Sequence, residues 1–474
     1  MLVPRCLAVV PVLVAAVGTG CVQPAELRQD HDPPDLPADA PPAEATTDDR
    51  PDDRTDDRTD DRTDDPADNS ADNSADNSAD DPAGPTPTGR FSVDVRGGYG
   101  SGVYAAGETV HVWSAASPGD EFVLPWGGDA TLLADPGEWH TTFVMPARDV
   151  TLVGNAEARP LSLTVETFRG STNRPKTVRY HFPPGMRGLV LFSHGTGGSN
   201  NFIETTEAFA LARALVRAGY GVLGTEAEEA VAGDLNGDGK ERWAAGARFR
   251  ASNVDLLNLE SLFASLESRG LVEADTPRFA LGMSNGGAFS HFLGTVSASA
   301  VADAFPHLRF RAVVGYCSDS SSTGVVTTPT TTPSAWFLCG EEDNPEVSND
   351  EAEANSRALD RLGVPTLVRT HPASPLYDER FSRIDGITVA TSRAMAAELR
   401  AAGFVDDDGF LNEDGDVIGQ FVAANPDRFR TIVSQTDSLG AIRAQIKAMR
   451  AEHAMFADDA ERTIAWFDRF HPNP

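Results

Sequence analysis

From residue 161 onward the chain alternates short apolar runs with longer segments of helical period. Residues 161–168 and 177–182 alternate apolar and polar positions, the pattern of an antiparallel pair with one covered face. Residues 188–193, Gly-Leu-Val-Leu-Phe-Ser, are apolar almost throughout, which suits a strand covered on both faces. A helix is predicted over 204–218, stopped by Gly219 as its C-cap, and then a strand over 220–224. Residues 253–268 place Leu256, Leu259, Leu262, Phe263 and Leu266 on one stripe, so this segment is a helix. Strand 278–282, helix 286–294, strands 312–317 and 335–339, helix 351–362 and strand 366–370 follow. This rhythm predicts an α/β fold with a doubly wound, mostly parallel sheet. A binding crevice is expected where the carboxyl ends of the strands meet their loops.

Upstream the pattern changes twice. Residues 91–157 read as short strands between Gly- and Pro-containing turns, with clear alternation in Thr109-Val110-His111-Val112-Trp113. Residues 22–88 hold almost no large apolar side chain and repeat Asp-Asp-Arg-Thr and then Ala-Asp-Asn-Ser. Such a segment cannot bury enough surface to offset its ordering entropy and reads as a solvated spacer. Between Val22 and Arg90 there are 21 acidic and 6 basic residues, a net of −15 out of the chain's −32. The acidity therefore says little about a substrate, but it argues against nucleic acid as a partner. A Ca²⁺-binding role for the tetrads is the less favoured alternative to a charged spacer.

The chain starts with Arg5, an apolar run over 7–17 and then Gly18-Thr19-Gly20-Cys21. This resembles a bacterial lipoprotein signal, although Gly18 stands where such signals usually carry Leu. The resemblance implies export, with residues 1–20 removed and Cys21 as a lipid anchor to a membrane of the cell envelope. An ordinary cleaved signal peptide is the alternative. The run is too short for a transmembrane helix. Gly98-Tyr99-Gly100-Ser101-Gly102-Val103-Tyr104, with the later Trp126-Gly127-Gly128-Asp129-Ala130 and Phe143-Val144-Met145-Pro146, resembles internalin-type B-repeat modules. That implies a small all-β spacer or binding module over 91–157. Trp113, Trp126 and Trp139 are expected in its core rather than in a glycan site.

Chemistry concentrates in the α/β part. Gly282-Met283-Ser284-Asn285-Gly286 reads G-x-S-x-G between a strand and a helix, where a serine stands exposed on a tight turn. On this motif the segment 158–474 resembles the α/β-hydrolase family. The resemblance implies a Ser-acid-His order and an acyl-enzyme mechanism, with Ser284 as nucleophile. Gly340-Glu341-Glu342-Asp343 follows the strand after next and makes Asp343 the expected acid, with Glu342 as the other choice. Two histidines compete for the base. His453 precedes an aromatic and a closing amphipathic helix and is favoured; His371 directly follows the last strand. With His453 as base, residues 372–450 become a helical, lid-like insertion. His194-Gly195-Thr196-Gly197-Gly198 resembles the family's His-Gly-Gly-Gly loop, so the oxyanion donors expected are the N–H groups of Asn285 and Thr196, with Gly195 as the other choice. His194 is expected to brace that loop, and His291 to be a satisfied histidine away from the reaction.

Asp234-Leu235-Asn236-Gly237-Asp238-Gly239 matches the first half of an EF-hand-type loop. Ala245 stands where the bidentate Glu belongs, so a structural Ca²⁺ on Asp234, Asn236 and Asp238 competes with a plain Asx/Gly turn. No cofactor is required for the expected chemistry. Cys317 and Cys339 end neighbouring strands, as either a disulfide or two buried thiols. The elbow and the His-Gly loop resemble those of secreted polyester depolymerases and feruloyl-type esterases, which implies an ester substrate outside the cytoplasm. The rivals are a serine peptidase of the same fold and a surface adhesion protein with a passive hydrolase scaffold.

Overall fold

The computed structural model describes residues 89–472, save 115–119, 123–124, 159, 247–251, 321–331, 341–346 and 430–437. The expected signal, Cys21 and nearly all of the acidic segment lie outside the described residues. So do Asp343 and Glu342.

Three small sheets build the N-terminal module. One is β1 (Arg90–Arg96), β3 (Gly102–Ala105), β6 (Gly127–Gly128) and β8 (Val150–Val153), in the order β3-β1-β8-β6. The second is β2 (Gly98–Tyr99), β4 (Thr109–Ser114) and β7 (His140–Val144), and β5 (Asp120–Phe122) pairs with β9 (Ala156–Ala158). The alternation of β4 sends Val110 and Val112 inward, where they meet Val93, Val95, Phe143 and Leu152. Trp113, Trp126 and Trp139 are 3%, 3% and 7% exposed and belong to this core. Tyr377, from far along the chain, completes the same cluster.

The main sheet has eight strands: β10 (Thr164–Arg169), β11 (Pro175–His181), β12 (Gly188–Ser193), β13 (Tyr220–Gly224), β14 (Arg278–Met283), β15 (Phe310–Tyr316), β16 (Ser334–Cys339) and β17 (Thr366–His371). Their order is β10-β11-β13-β12-β14-β15-β16-β17. β11 runs antiparallel to β10 and β13, and the pairs from β13 to β17 are parallel. The sheet is thus mostly parallel, with the elbow strand β14 near its centre. Helices cover both faces, and the two-residue period of the strands divides their side chains between them. Val190, Phe192, Phe279 and Leu281 face α1 (Thr206–Arg217) and the last helix, through Leu211, Leu215, Ile464 and Phe467. Leu189, Leu191, Ala280 and Val313 face α3 (Val254–Ser268) and α4 (Asn285–Ala298), and a short α2 (Glu228–Ala232) precedes α3. Asn253 caps α3, its side chain accepting from Asp255 and Leu256 N–H at 3.0 and 3.1 Å. α5 (Asn349–Arg361) packs on Trp336 and Leu338 of β16.

After β17 the chain leaves the sheet. Residues 372–450 contain α6 (Val389–Ala401), α7 (Gly415–Ala424) and α8 (Ser438–Met449) around a core of their own, including Phe381, Met395, Leu399, Ile418 and Ile446. α8 ends in a Schellman motif: Glu452 N–H donates to Lys447 O at 2.9 Å and Ala451 N–H to Ala448 O at 3.2 Å. Ala451 holds the position usually given to glycine, at φ 53°. The chain then passes His453 and enters α9 (Ala460–Arg469).

Candidate active site

Ser284 sits between β14 and α4 at φ 57° and ψ −125°. This is strained for a residue with a side chain, and it projects the hydroxyl away from the turn. The flanking glycines are a steric necessity. A Cβ on Gly282 would lie 2.3 Å from Gly286 O, and one on Gly286 would lie 2.1 Å from Ser193 O. Strand, helix and the neighbouring strand β12 can meet so closely only without those side chains. Ser284 N–H donates to Tyr316 O at 2.9 Å, which ties the turn to the end of β15. Ser284 is half-buried and stands at the N-terminus of a 14-residue helix. Main-chain N–H groups there have no partner within the helix and are available to an anion.

Asn285 supplies the first of these. Its side chain is used elsewhere: Oδ1 accepts from Trp243 N–H at 2.8 Å and Nδ2 donates to Trp243 O at 3.3 Å. The loop after β12 closes the other side. A Cβ on Gly195 would lie 3.3 Å from both Met283 O and Ser284 Cβ, so this loop runs directly against the elbow. Thr196 is exposed beside it. His194 is fully buried; its Nε2 accepts from Ala227 N–H at 3.1 Å and its Nδ1 stands 2.7 Å from Gly195 O. That arrangement requires the tautomer protonated on Nδ1. Burial pushes the pKa of His194 down, in keeping with a neutral brace. Gly197 N–H donates to Glu241 O at 2.8 Å and fixes the far side of the loop.

The C-terminal edge of the sheet also gathers His453. A ring nitrogen of His453 and the sulfurs of Cys317 and Cys339 lie within 4.8 Å of one another. The two cysteines are joined by a disulfide. Cys317 follows Tyr316, the residue that holds the Ser284 turn, so Ser284 and His453 are brought to the same end of β15. Asp343 lies among residues 341–346. Gly340, which leads into them, is packed so that a Cβ would meet Ala451 Cβ at 3.4 Å, two residues before His453.

His371 ends β17 and is buried. Its ring stacks on Phe456 at 4.1 Å, and its nitrogens stand 3.8 Å from Asp458 and 3.9 Å from Asp459. Burial lowers its pKa, with the two carboxylates working against that. His291 is fully buried against Trp336, its Nε2 3.2 Å from Ala335 O and its Nδ1 on Ser320 Oγ, and burial pushes its pKa down to about 3.

The Asp234 loop is exposed. Asp234 accepts from the N–H groups of Asn236, Gly237 and Gly239 at 3.2, 2.8 and 2.6 Å, Asn236 Oδ1 from Asp238 N–H at 2.9 Å, and Asp238 from Lys240 N–H at 3.0 Å. Arg242 pairs with Asp238. These are successive Asx turns, and the N–H groups around Asp234 hold its pKa down. Among the described residues, the group of three or more His, Cys, Asp or Glu close enough to share an ion is Cys317, Cys339 and His453.

No family model matches this chain, and no curated protein does. Solved structures do. A dienelactone hydrolase from Anabaena variabilis is 16% identical over 51% of this chain and 97% of its own, at a TM-score of 0.32. An S-formylglutathione hydrolase from Agrobacterium tumefaciens is 13% identical over 44% of this chain and 90% of its own, at 0.33. Brefeldin A esterase, a bacterial homologue of human hormone sensitive lipase, is 15% identical over 57% of this chain and 77% of its own, at 0.30. Likenesses at these values say what the chain is similar to and carry no inference about its chemistry.

Two features of the site escape sequence reasoning. Trp243 stacks on Phe289 at 4.6 Å and lies 5.1 Å from His194, and its main chain bonds the Asn285 side chain. Its only sequence signal is a lone tryptophan in a polar loop. The second is a seam of buried charge around 451–459. Glu207, in the first turn of α1, accepts from Arg383 Nη2 at 2.8 Å, Gln445 Nε2 at 2.8 Å and Ala457 N–H at 3.0 Å. Burial raises its pKa, but Arg383 and Arg380 outweigh that and hold the carboxyl below its ordinary range. Nothing local in the sequence marks Glu207 as buried.

Proposed function

We propose that this protein is an exported serine hydrolase acting on carboxylic esters through an acyl-enzyme. The observation that carries the reading is the strained Ser284 at the N-terminus of α4, with the Gly195 loop packed against it. In this reading Ser284 Oγ attacks the ester carbonyl while His453 takes its proton. The negative oxygen of the tetrahedral intermediate is met by main-chain N–H groups of Asn285 and of Thr196 or Gly195. Collapse expels the alcohol, which receives the proton from His453. Water, deprotonated by the same imidazole, then frees the acid and restores Ser284. Asp343 holds the imidazole tautomer and its developing charge. The helical insertion 372–450 acts as a lid, and lipidation of Cys21 keeps the enzyme in the cell envelope behind its acidic spacer.

The test is labelling of the purified protein with a fluorophosphonate, the modified residue being found by peptide mass spectrometry. Label is expected on Ser284, and Ser284→Ala should lower kcat on p-nitrophenyl acetate by at least about 10⁴-fold. His453→Ala should abolish labelling and His371→Ala should keep it. Loss with His371→Ala alone would move the base to β17, and a folded wild type that takes no label would sink the reading.

A further inference from the structure

The N-terminal module touches the segment that carries the expected base, and it does so with ionisable side chains. His140, the first residue of β7, places Nδ1 3.5 Å from Asp458 Oδ1, and both side chains are 8% exposed. The other oxygen of Asp458 faces His371 Nε2 at 3.8 Å. The carboxylate therefore lies between one imidazole from the module and one from the main sheet. His140 is itself held. Trp113 stacks on it at 4.8 Å with a 10° tilt, and its Nε2 stands 3.1 Å from His111 Nδ1. The next carboxylate, Asp459, pairs with Arg462 at 2.6 Å, and Arg462 reaches back to Glu138 at 3.2 Å and to Asp135, both in the module. Arg383 of the insertion lies 4.1 Å over Trp139, and Tyr377 is buried in the module's core.

The carboxylate contacts fall on Asp458 and Asp459, five and six positions after His453. A buried carboxylate must be paired, because a single unpaired charge in such a place is strongly destabilising. Burial alone would raise the pKa of Asp458, yet His140, His371 and Arg380 hold it far below the ordinary carboxylate range. The charge is thus retained. A general base needs its imidazole placed to a fraction of an ångström. The segment that follows His453 takes its position partly from a different module.

We propose that His140 is a positioning residue for ester hydrolysis: it anchors Asp458 and thereby sets the orientation of His453. The module is then part of the catalytic scaffold rather than a separable spacer. This rests on the reading of His453 as the base.

The experiment compares the full chain with His140→Ala, His140→Asn, Asp458→Asn and the His140→Ala/Asp458→Asn double variant. Ester hydrolysis is followed as kcat and KM, and amide hydrogen exchange is followed in peptides covering 451–459. His140→Ala should lower kcat about tenfold with KM nearly unchanged. The double variant should be no worse than the worse single variant, because both remove one contact. His140→Asn, whose amide nitrogen stands about where Nδ1 stands, should recover much of the loss. Exchange at 451–459 should rise in His140→Ala and not in Val144→Thr, an exposed position on the same strand. Unchanged kcat and exchange in His140→Ala, or multiplicative losses in the double variant, would overturn the proposal. If the wild type shows no Ser284-dependent hydrolysis the functional reading fails instead, and exchange alone then decides whether His140 anchors the segment.

Discussion

The centre of the sheet and the seam around 451–459 are both buried, and they are buried by opposite means. In β12, β14 and β16 every position but Met283 is buried, and the side chains are almost all apolar. Such a region is stabilised by area removed from water, and another apolar side chain of similar volume serves nearly as well. The seam buries Glu138, Glu207, His371, Arg380, Arg383, Asp458 and Asp459, with the His140 side chain 8% exposed among them. There each group is tolerable only because a specific partner faces it. Those partners come from the module, α1, β17, the insertion and the C-terminal loop. The sheet makes the domain stable; the seam makes one relative placement of five segments better than the rest.

The largest effect should come from Glu207. Replacing it with Ala leaves the buried Arg383 without the carboxylate it hydrogen-bonds and Arg380 with Asp458 alone, and should cost about 3–5 kcal/mol in urea unfolding. Ile464→Val, in the core between α9 and the sheet, removes one methyl group and should cost about 1 kcal/mol. If Glu207→Ala costs no more than Ile464→Val, the seam is not held by charge pairing and the contrast collapses. The disulfide stands where the two regions meet. It closes a sequence separation of 22 between β15 and β16. Reduction with a dithiol should lower stability by about 3 kcal/mol through the freedom given to the unfolded chain. Because the sulfurs lie beside His453, hydrolysis should fall at dithiol concentrations too low to unfold the sheet.

The same contrast explains what was legible in the sequence. The apolar runs of β12 and β16 are contiguous, so their burial and their strand character can be read directly. The stripe of α3 and its Asn253 cap are equally local. G-x-S-x-G is legible because five adjacent residues carry its geometry. The boundaries are less so: α4 runs to Ala298, four residues past the expected end, and Val296 in that extension packs into the core. The seam is not legible at all. Glu207 and Arg383 are 176 positions apart, and His140 and Asp458 are separated by most of the described chain. A charged residue in a polar stretch looks solvated until its partner arrives from elsewhere. Tyr377 likewise gives no sign that its ring completes a core more than 220 residues upstream.

Glu138 offers the finest test, because its proton can be counted. Arg462 faces three carboxylates, Asp135, Glu138 and Asp459, and with Arg369 on Asp459 at 2.5 Å two guanidiniums serve three carboxylates. Burial first, then the charge of Asp459, pushes the pKa of Glu138 up to about 9, and Arg462 only partly opposes this. The folded chain therefore holds a proton between about pH 4.5 and pH 9 that the unfolded chain has released. More protons bound in the folded state means that stability falls as pH rises through that window. Glu138→Gln keeps the shape and a hydrogen-bond donor but has no proton to lose. Between pH 7 and pH 8, above the ordinary range of histidine titration, the wild type should lose up to about 1.4 kcal/mol relative to the variant. The difference, read from urea midpoints at the two pH values, should have that sign alone. Parallel pH dependence would mean that Glu138 is ionised throughout, that Arg462 satisfies it, and that this end of the seam is an ordinary ion pair.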